Sequence, residues 1–171
     1  RIRPPIHQTL RQANIDAATK HRWVRLFVES GADPDGPDHS HWLALPIHMA
    51  SRYGLLETVK FLVNEHQVDL NNLMEQTGET PLIMAASNGR FEVSKFLLEK
   101  GADPNVSSPR RDTALGTAIT REDESIVKLL LDKGADPNQS VKPGNKSPIC
   151  LALSRFWRFA DRRDRIVEHL L

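Results

Sequence analysis

The feature that most restricts this chain is that it copies itself. Leu98-Glu99-Lys100-Gly101-Ala102-Asp103-Pro104-Asn105 recurs 33 residues later as Leu131-Asp132-Lys133-Gly134-Ala135-Asp136-Pro137-Asn138, and an earlier version stands at Val28-Glu29-Ser30-Gly31-Ala32-Asp33-Pro34-Asp35. A second motif keeps the same beat. Thr80-Pro81-Leu82-Ile83-Met84-Ala85-Ala86 matches segments opening at Leu45, Thr113 and Ser147, with successive starts 35, 33 and 34 residues apart. A period of this size marks one supersecondary unit stacked on its own copies, because a single unit cannot bury its own apolar face.

Each unit reads as two short helices. Thr80 is placed to cap a helix whose first residue is Pro81, and Ser147-Pro148 repeats the arrangement. This first helix is rich in small residues (Met84, Ala85, Ala86), which lets neighbouring units approach closely. After a turn at Gly89, the second helix carries Val93, Phe96 and Leu97 at i, i+3 and i+4, and Ile126, Leu129 and Leu130 reproduce that buried stripe one unit on. Gly101 and Gly134 stand where a left-handed C-terminal cap is wanted, and Pro104 and Pro137 prevent continuation.

This pattern resembles the ankyrin repeat, with its Thr-Pro-Leu-His-x-Ala opening, glycine turn, leucine-rich second helix and Gly-Ala-Asp ending. The resemblance implies an all-α solenoid of about five helix-turn-helix repeats with projecting loops or short β-hairpin fingers. The chain divides into one domain, 1–171: a degenerate repeat over 1–39, repeats over 40–74, 75–107 and 108–141, and a C-terminal repeat with an insertion over 142–171. In the first unit only Trp23, Leu26, Phe27 and Gly31-Ala32-Asp33 fit, which suits a terminal repeat. The second unit lacks a glycine after its second helix and has an extra residue near Gln67. The fifth ends on Leu170 and Leu171, expected as an exposed apolar end calling for further chain or a partner. A start at Arg1 and a stop inside an apolar run suggest flanking domains in a longer protein.

Composition removes other classes. Lys and Arg number 23 against 22 Asp and Glu, so the formal net charge of +1 gives no global steering toward polyanions. No apolar run approaches the roughly 18 residues of a membrane span. One cysteine builds no disulfide framework, and with no signal-type segment the expected setting is intracellular, cytoplasmic or nuclear. Catalytic readings also fail. Cys150 occupies the motif-histidine slot and reads as a buried, inert thiol. His39 and His41 lack the further ligands of a metal site, and His48 reads as a structural hydrogen bond in the repeat opening. Isolated glycines make no phosphate loop. Neither cofactor nor metal is expected, and no enzyme activity. Asn105 and Asn138 end Asp-Pro-Asn turns, where asparagine bonds back to the local backbone; the family resemblance adds recognition by an asparaginyl hydroxylase, which the preceding prolines argue against.

The remaining role is protein recognition on the concave surface. The family binds through finger positions and the two positions after the small pair, which here gives Trp42, Arg52, Tyr53, Asn88, Arg110, Arg121, Lys146 and Arg155, with Trp157 from the insertion. Arg52, Arg110, Arg121, Lys146 and Arg155 face only Glu79 and Asp112, so the groove is expected to be positive and to hold an acidic or phosphorylated peptide or protein by bidentate pairing. Trp42 reads equally as an aromatic anchor or as core; Tyr53 reads as an exposed anchor. The insertion Arg155-Phe156-Trp157-Arg158-Phe159 reads as a lengthened first helix with Phe156 and Phe159 inward, or as a docking surface. Its arginines and aromatics would also suit single-stranded nucleic acid, the weaker alternative. A third reading is a substrate-recruiting arm for an enzyme on further chain.

Overall fold

The computed structural model describes residues 14–29, 31, 46–74, 77–108, 113–139, 147–154 and 160–170. Within them the chain forms α1 (Ala17–Glu29), α2 (Pro46–Tyr53), α3 (Leu56–His66), α4 (Pro81–Ser87), α5 (Phe91–Glu99), α6 (Ala114–Arg121), α7 (Glu124–Asp132), α8 (Pro148–Ser154) and α9 (Ala160–Leu170). First helices α2, α4, α6 and α8 pack in one layer and second helices α1, α3, α5, α7 and α9 in another. Each helix therefore touches its own partner and the same helix of the next unit, as a solenoid requires.

The local signals explain where the helices begin and end. Thr80 Oγ1 accepts the Ile83 N–H at 3.1 Å and Thr113 Oγ1 that of Gly116 at 3.2 Å, each cap contributing about 1 kcal/mol. Ser147 makes a longer contact, 3.4 Å, with the Cys150 N–H. Gly101 and Gly134 take φ of 94° and 85° after the second helices; in the second unit, which has no glycine there, Gln67 adopts the same left-handed turn at φ 51°.

Between the layers lies a continuous core in which Ile47, Leu62, Leu82, Ile83, Leu97, Leu115, Ile119, Ile126, Leu130 and Ile166 are fully buried. Ala85 and Ala86 are buried too, so α4 fits between α2 and α6. The expected stripes hold, with Val93, Leu97, Ile126 and Leu130 inside and Phe96 and Leu129 half-buried at the edge. Two ends depart from expectation. In α1 the buried edge is Val24 and Val28, whereas Trp23 and Leu26, in register with Val93 and Phe96, are 37% and 50% exposed. At the other end Leu170 is not exposed: α9 packs on α7 and α8, which buries it with Ile166. Leu171, Phe156 and Phe159 lie outside the described residues.

Neighbouring units are also joined by hydrogen bonds. Asp69, Asp103 and Asp136 each accept, through Oδ1, the N–H two residues on, of Asn71, Asn105 and Asn138. The asparagine side chains then reach across. Asn71 Oδ1 accepts the Asp103 N–H at 2.9 Å, Asn105 Oδ1 accepts that of Asp136 at 2.8 Å, and Asn105 Nδ2 donates to the Gly134 carbonyl. This corrects the expectation that asparagine bonds back to its own turn: aspartate does that, which frees the Asn71 and Asn105 amides to join units. Between α3 and α4 the chain makes a looped turn, with the Met74 N–H on the Glu79 carbonyl at 3.0 Å, and no strand occurs among the described residues.

Candidate functional site

The layer of first helices carries the candidate surface. Where α2 meets α4, Arg52, Glu79, Met84, Ser87 and Asn88 line a cleft of about 130 Å³. Arg52 lies exposed in the last turn of α2, among described residues free of any ion pair. Asn88 is half-buried; its Nδ2 donates to the Met84 carbonyl at 2.8 Å and to Ser87 Oγ at 3.1 Å, while Ser87 Oγ also donates to Met84. Those bonds hold the amide nitrogen against the helix end. Glu79 is only 4% exposed and has an interaction of its own. The cleft therefore combines one accessible cation, an engaged carboxylate and a held amide.

Two further arginines extend this row along the turns. Arg90 Nε donates to the Arg52 carbonyl and Arg121 Nη1 to the Ser87 carbonyl, both at 3.1 Å. Each lies over a glycine in the left-handed conformation: a Cβ on Gly54 (φ 73°) would stand 2.9 Å from Arg90 Cδ, and one on Gly89 (φ 65°) 3.0 Å from Arg121 Nη2. The glycines thus serve both the turn and the seat of the arginine above. Both arginines are exposed, and neither has a carboxylate partner among the described residues.

Beyond Arg121 a larger, polar cleft of about 400 Å³ is lined by Arg121, Glu122, Asp123, Glu124, Ser125 and Arg165. Most of its charges are internally matched. Asp123 Oδ1 caps α7 by accepting the Ile126 N–H, and Glu124 pairs with Arg165 at 2.9 Å, tying α9 to α7, with His169 Nε2 3.8 Å away. Glu122 stands where the other turns have Gly54 and Gly89, and it holds φ at 60°.

The expected site residues fare differently. Arg52, Tyr53, Asn88 and Arg121 fall on adjoining first-helix ends, and Arg52 and Asn88 share one cleft. Tyr53 is not freely exposed: it is half-buried against the core, with Lys20 Nζ 5.4 Å from its ring centre. Trp42, Arg110, Lys146, Arg155 and Trp157 lie outside the described residues, as do His39, His41 and Asp112. Arg90 escaped the sequence reading because the matching slots hold Leu55 and Asp123, so no repeat pattern marks it.

Groups considered for chemistry are placed as follows. His48 is fully buried, with Nε2 2.9 Å from the Asn72 carbonyl: it makes a structural hydrogen bond, but one that joins α2 to the loop after α3 and does not stay within the repeat opening. Burial pushes its pKa down to about 4, against opposing contributions from the Asn72 and Glu79 backbones and the Asp69 charge. Cys150 is exposed, which corrects the expectation of a buried thiol. Pro148 and Ala152 form the buried edge of α8, and Cys150, midway between them, projects from the opposite side of the helix. Among the described residues no group of three or more His, Cys, Asp or Glu is arranged to hold a metal ion, and no helix is long and apolar enough to cross a membrane.

Comparison with known proteins places this architecture. A family model described as ankyrin repeats (3 copies) matches residues 12–108 and 47–141. The chain is 34% identical over 111 residues to ANK repeat-containing protein nipk-1 of Caenorhabditis elegans, covering 62% of this chain and 18% of that protein. It is 39% identical over 80 residues to the human DNA-binding protein RFXANK, covering 45% and 29%, and 32% identical over 94 residues to human ankyrin repeat and SOCS box protein 3, covering 54% and 18%. The matched part is thus less than a third of each of these relatives. Ankyrin repeats are generally protein–protein interaction modules. With its stacked helix pairs and a family match over most of its length, this chain belongs to the ankyrin repeat family.

Proposed function

We propose that the chain is a non-catalytic scaffold whose repeats, taken as one domain over 1–171, hold a partner protein or peptide on the first-helix surface, through acidic or phosphorylated side chains of that partner. The observation that carries this reading is the row of exposed arginines Arg52, Arg90 and Arg121 beside a cleft whose carboxylate, Glu79, is buried and engaged. In such a place a partner carboxylate or phosphate meets guanidinium donors that are not neutralised at close range. Tyr53 and Asn88 flank the same ends, Trp42, Arg110, Lys146 and Arg155 belong to the proposed surface by their repeat positions, and Trp157 by its place in the insertion. The proposed setting is the cytoplasm or nucleus.

A displayed library of random linear peptides, selected on the intact protein, tests the reading. Acid-rich sequences are expected, and the double substitution Arg52→Glu/Arg121→Glu should weaken them about a hundredfold, a loss of about 3 kcal/mol spread over two charge-assisted contacts. Selection of sequences without acidic residues, or affinity unchanged in the double variant, would refute it. The names of two relatives carry other readings: one is called DNA-binding and another bears a SOCS box. Steeply salt-dependent binding of oligonucleotides in preference to peptides would favour the first of these.

A further inference from the structure

We infer that Arg90 and Arg121 form two prearranged carboxylate seats one repeat apart, and that they select an extended acidic segment with Asp or Glu at positions i and i+3. This rests on the peptide-binding reading above and specifies its register. The argument starts from the repeated construction. In each seat the arginine side chain lies over a left-handed glycine of the preceding unit, Arg90 through Cγ, Cδ and Nε over Gly54 and Arg121 through its guanidinium over Gly89. In each, one N–H is spent on a carbonyl at the end of the preceding first helix, of Arg52 and of Ser87. A guanidinium has five donors, so anchoring one leaves four, on a side chain whose freedom has already been restricted. An arginine held in this way loses less entropy when it pairs with a carboxylate than a freely moving one does.

The spacing follows from packing. The glycines under the two seats belong to adjacent turns, after α2 and α4, and packed helices lie roughly 8–10 Å apart. A peptide extended as polyproline II advances about 3.1 Å per residue with three residues per turn, so side chains at i and i+3 project from the same side about 9 Å apart and cover that interval. The acids near Arg121 do not already fill its seat. Asp123 caps α7 and Glu124 is paired with Arg165, which leaves Glu122 as the one competing carboxylate in that cleft without a partner among the described residues. Arg90 makes no ion pair among the described residues, and Arg52, whose carbonyl anchors it, adds a third positive charge.

Two fluorescent synthetic peptides of identical composition test the inference on the intact protein, one with glutamates at every third position between Gly/Ser spacers, the other with the glutamates in one block. The spaced peptide is expected to bind about tenfold more tightly, as one additional well-formed charge-assisted contact would give. Arg90→Lys and Arg121→Lys, which keep the charge but lose the planar fork, should each abolish most of that advantage. Lys95→Ala, which removes an exposed charge on α5, should leave it intact. Thermal melts of every variant confirm folding. Equal affinity for both peptides, with sensitivity to Arg52→Glu/Arg121→Glu retained, would overturn the register and spare the peptide-binding reading. Failure of both peptides to bind would overturn both, and so would tighter binding of an oligonucleotide of equal charge.

Discussion

The two edges of the first-helix layer are joined by different chemistry. On the loop edge, Asn71 and Asn105 occupy equivalent positions and each accepts the N–H of the next unit's aspartate, so the same bond recurs with the repeat. On the turn edge, Arg90 and Arg121 occupy non-equivalent positions, one heading α5 and the other closing α6, yet each bonds a helix-end carbonyl over a glycine. The loop-edge bonds between units are short-range and join neutral groups. The turn edge is charged, exposed and still has donors to give. A regular edge serves stacking, whereas the irregular one differs from unit to unit, which is what a surface needs to distinguish partners.

The largest effect expected from breaking the comparison lies on the loop side, at His48. Its pKa is 6.5 when free and about 4 when buried, so the unfolded chain binds the proton first and stability falls as pH drops from 6.5 toward 4. That loss approaches about 3 kcal/mol once pH is below both values, and it is absent above pH 6.5. Urea unfolding across this range should show the drop, and His48→Gln should flatten it whatever its own stability. Next comes Asn105→Ala, which removes two bonds between units and should cost about 2 kcal/mol in the same measurement. Asn71→Ala, with one such bond, should cost about half as much.

Smaller changes sharpen the turn edge. Glu122→Gly relieves a left-handed residue at φ 60° and should stabilise by about 1 kcal/mol, raising the melting temperature. It also removes the carboxylate competing for Arg121, so acidic-peptide affinity should rise about twofold; a loss of both stability and affinity would mean that Glu122 is itself a structural partner. Arg90→Met should change stability least, by about 0.5 kcal/mol or less, because it loses one bond from a long side chain and keeps most of the stem over Gly54, while weakening acidic peptides measurably.

Much of the fold could be read from the sequence because repetition multiplies weak local signals. Thr80 alone is a modest cap, but Thr80, Thr113 and Ser147 in register announce three helix starts. The same logic misplaced the ends. Trp23 was aligned with Val93, although α1 buries Val24 and Val28 instead, and Leu170 is covered by the packing of α9. Terminal units have different neighbours, so a pattern derived from central units does not transfer. The proposed site was only half legible for a related reason. Arg52, Asn88 and Arg121 followed from repeat position, whereas Arg90 depends on the spatial meeting of Gly54, the Arg52 carbonyl and a residue 38 positions later than Arg52. Nothing in the spacing of the sequence encodes that meeting. Cys150 shows the reverse error, since a motif slot suggested burial that the helical phase of α8 does not provide.

The central claim is that a partner lies along the first helices and not over the second. Site-specific photo-crosslinking decides it most directly, with benzophenone introduced in separate samples at Asn88, in the cleft, and at Lys95, exposed on α5, and an acidic peptide selected on the wild-type protein as ligand. The account predicts strong labelling from position 88, abolished by Arg52→Glu/Arg121→Glu, and background labelling from position 95. Labelling from position 95 equal to or above that from position 88 would contradict it.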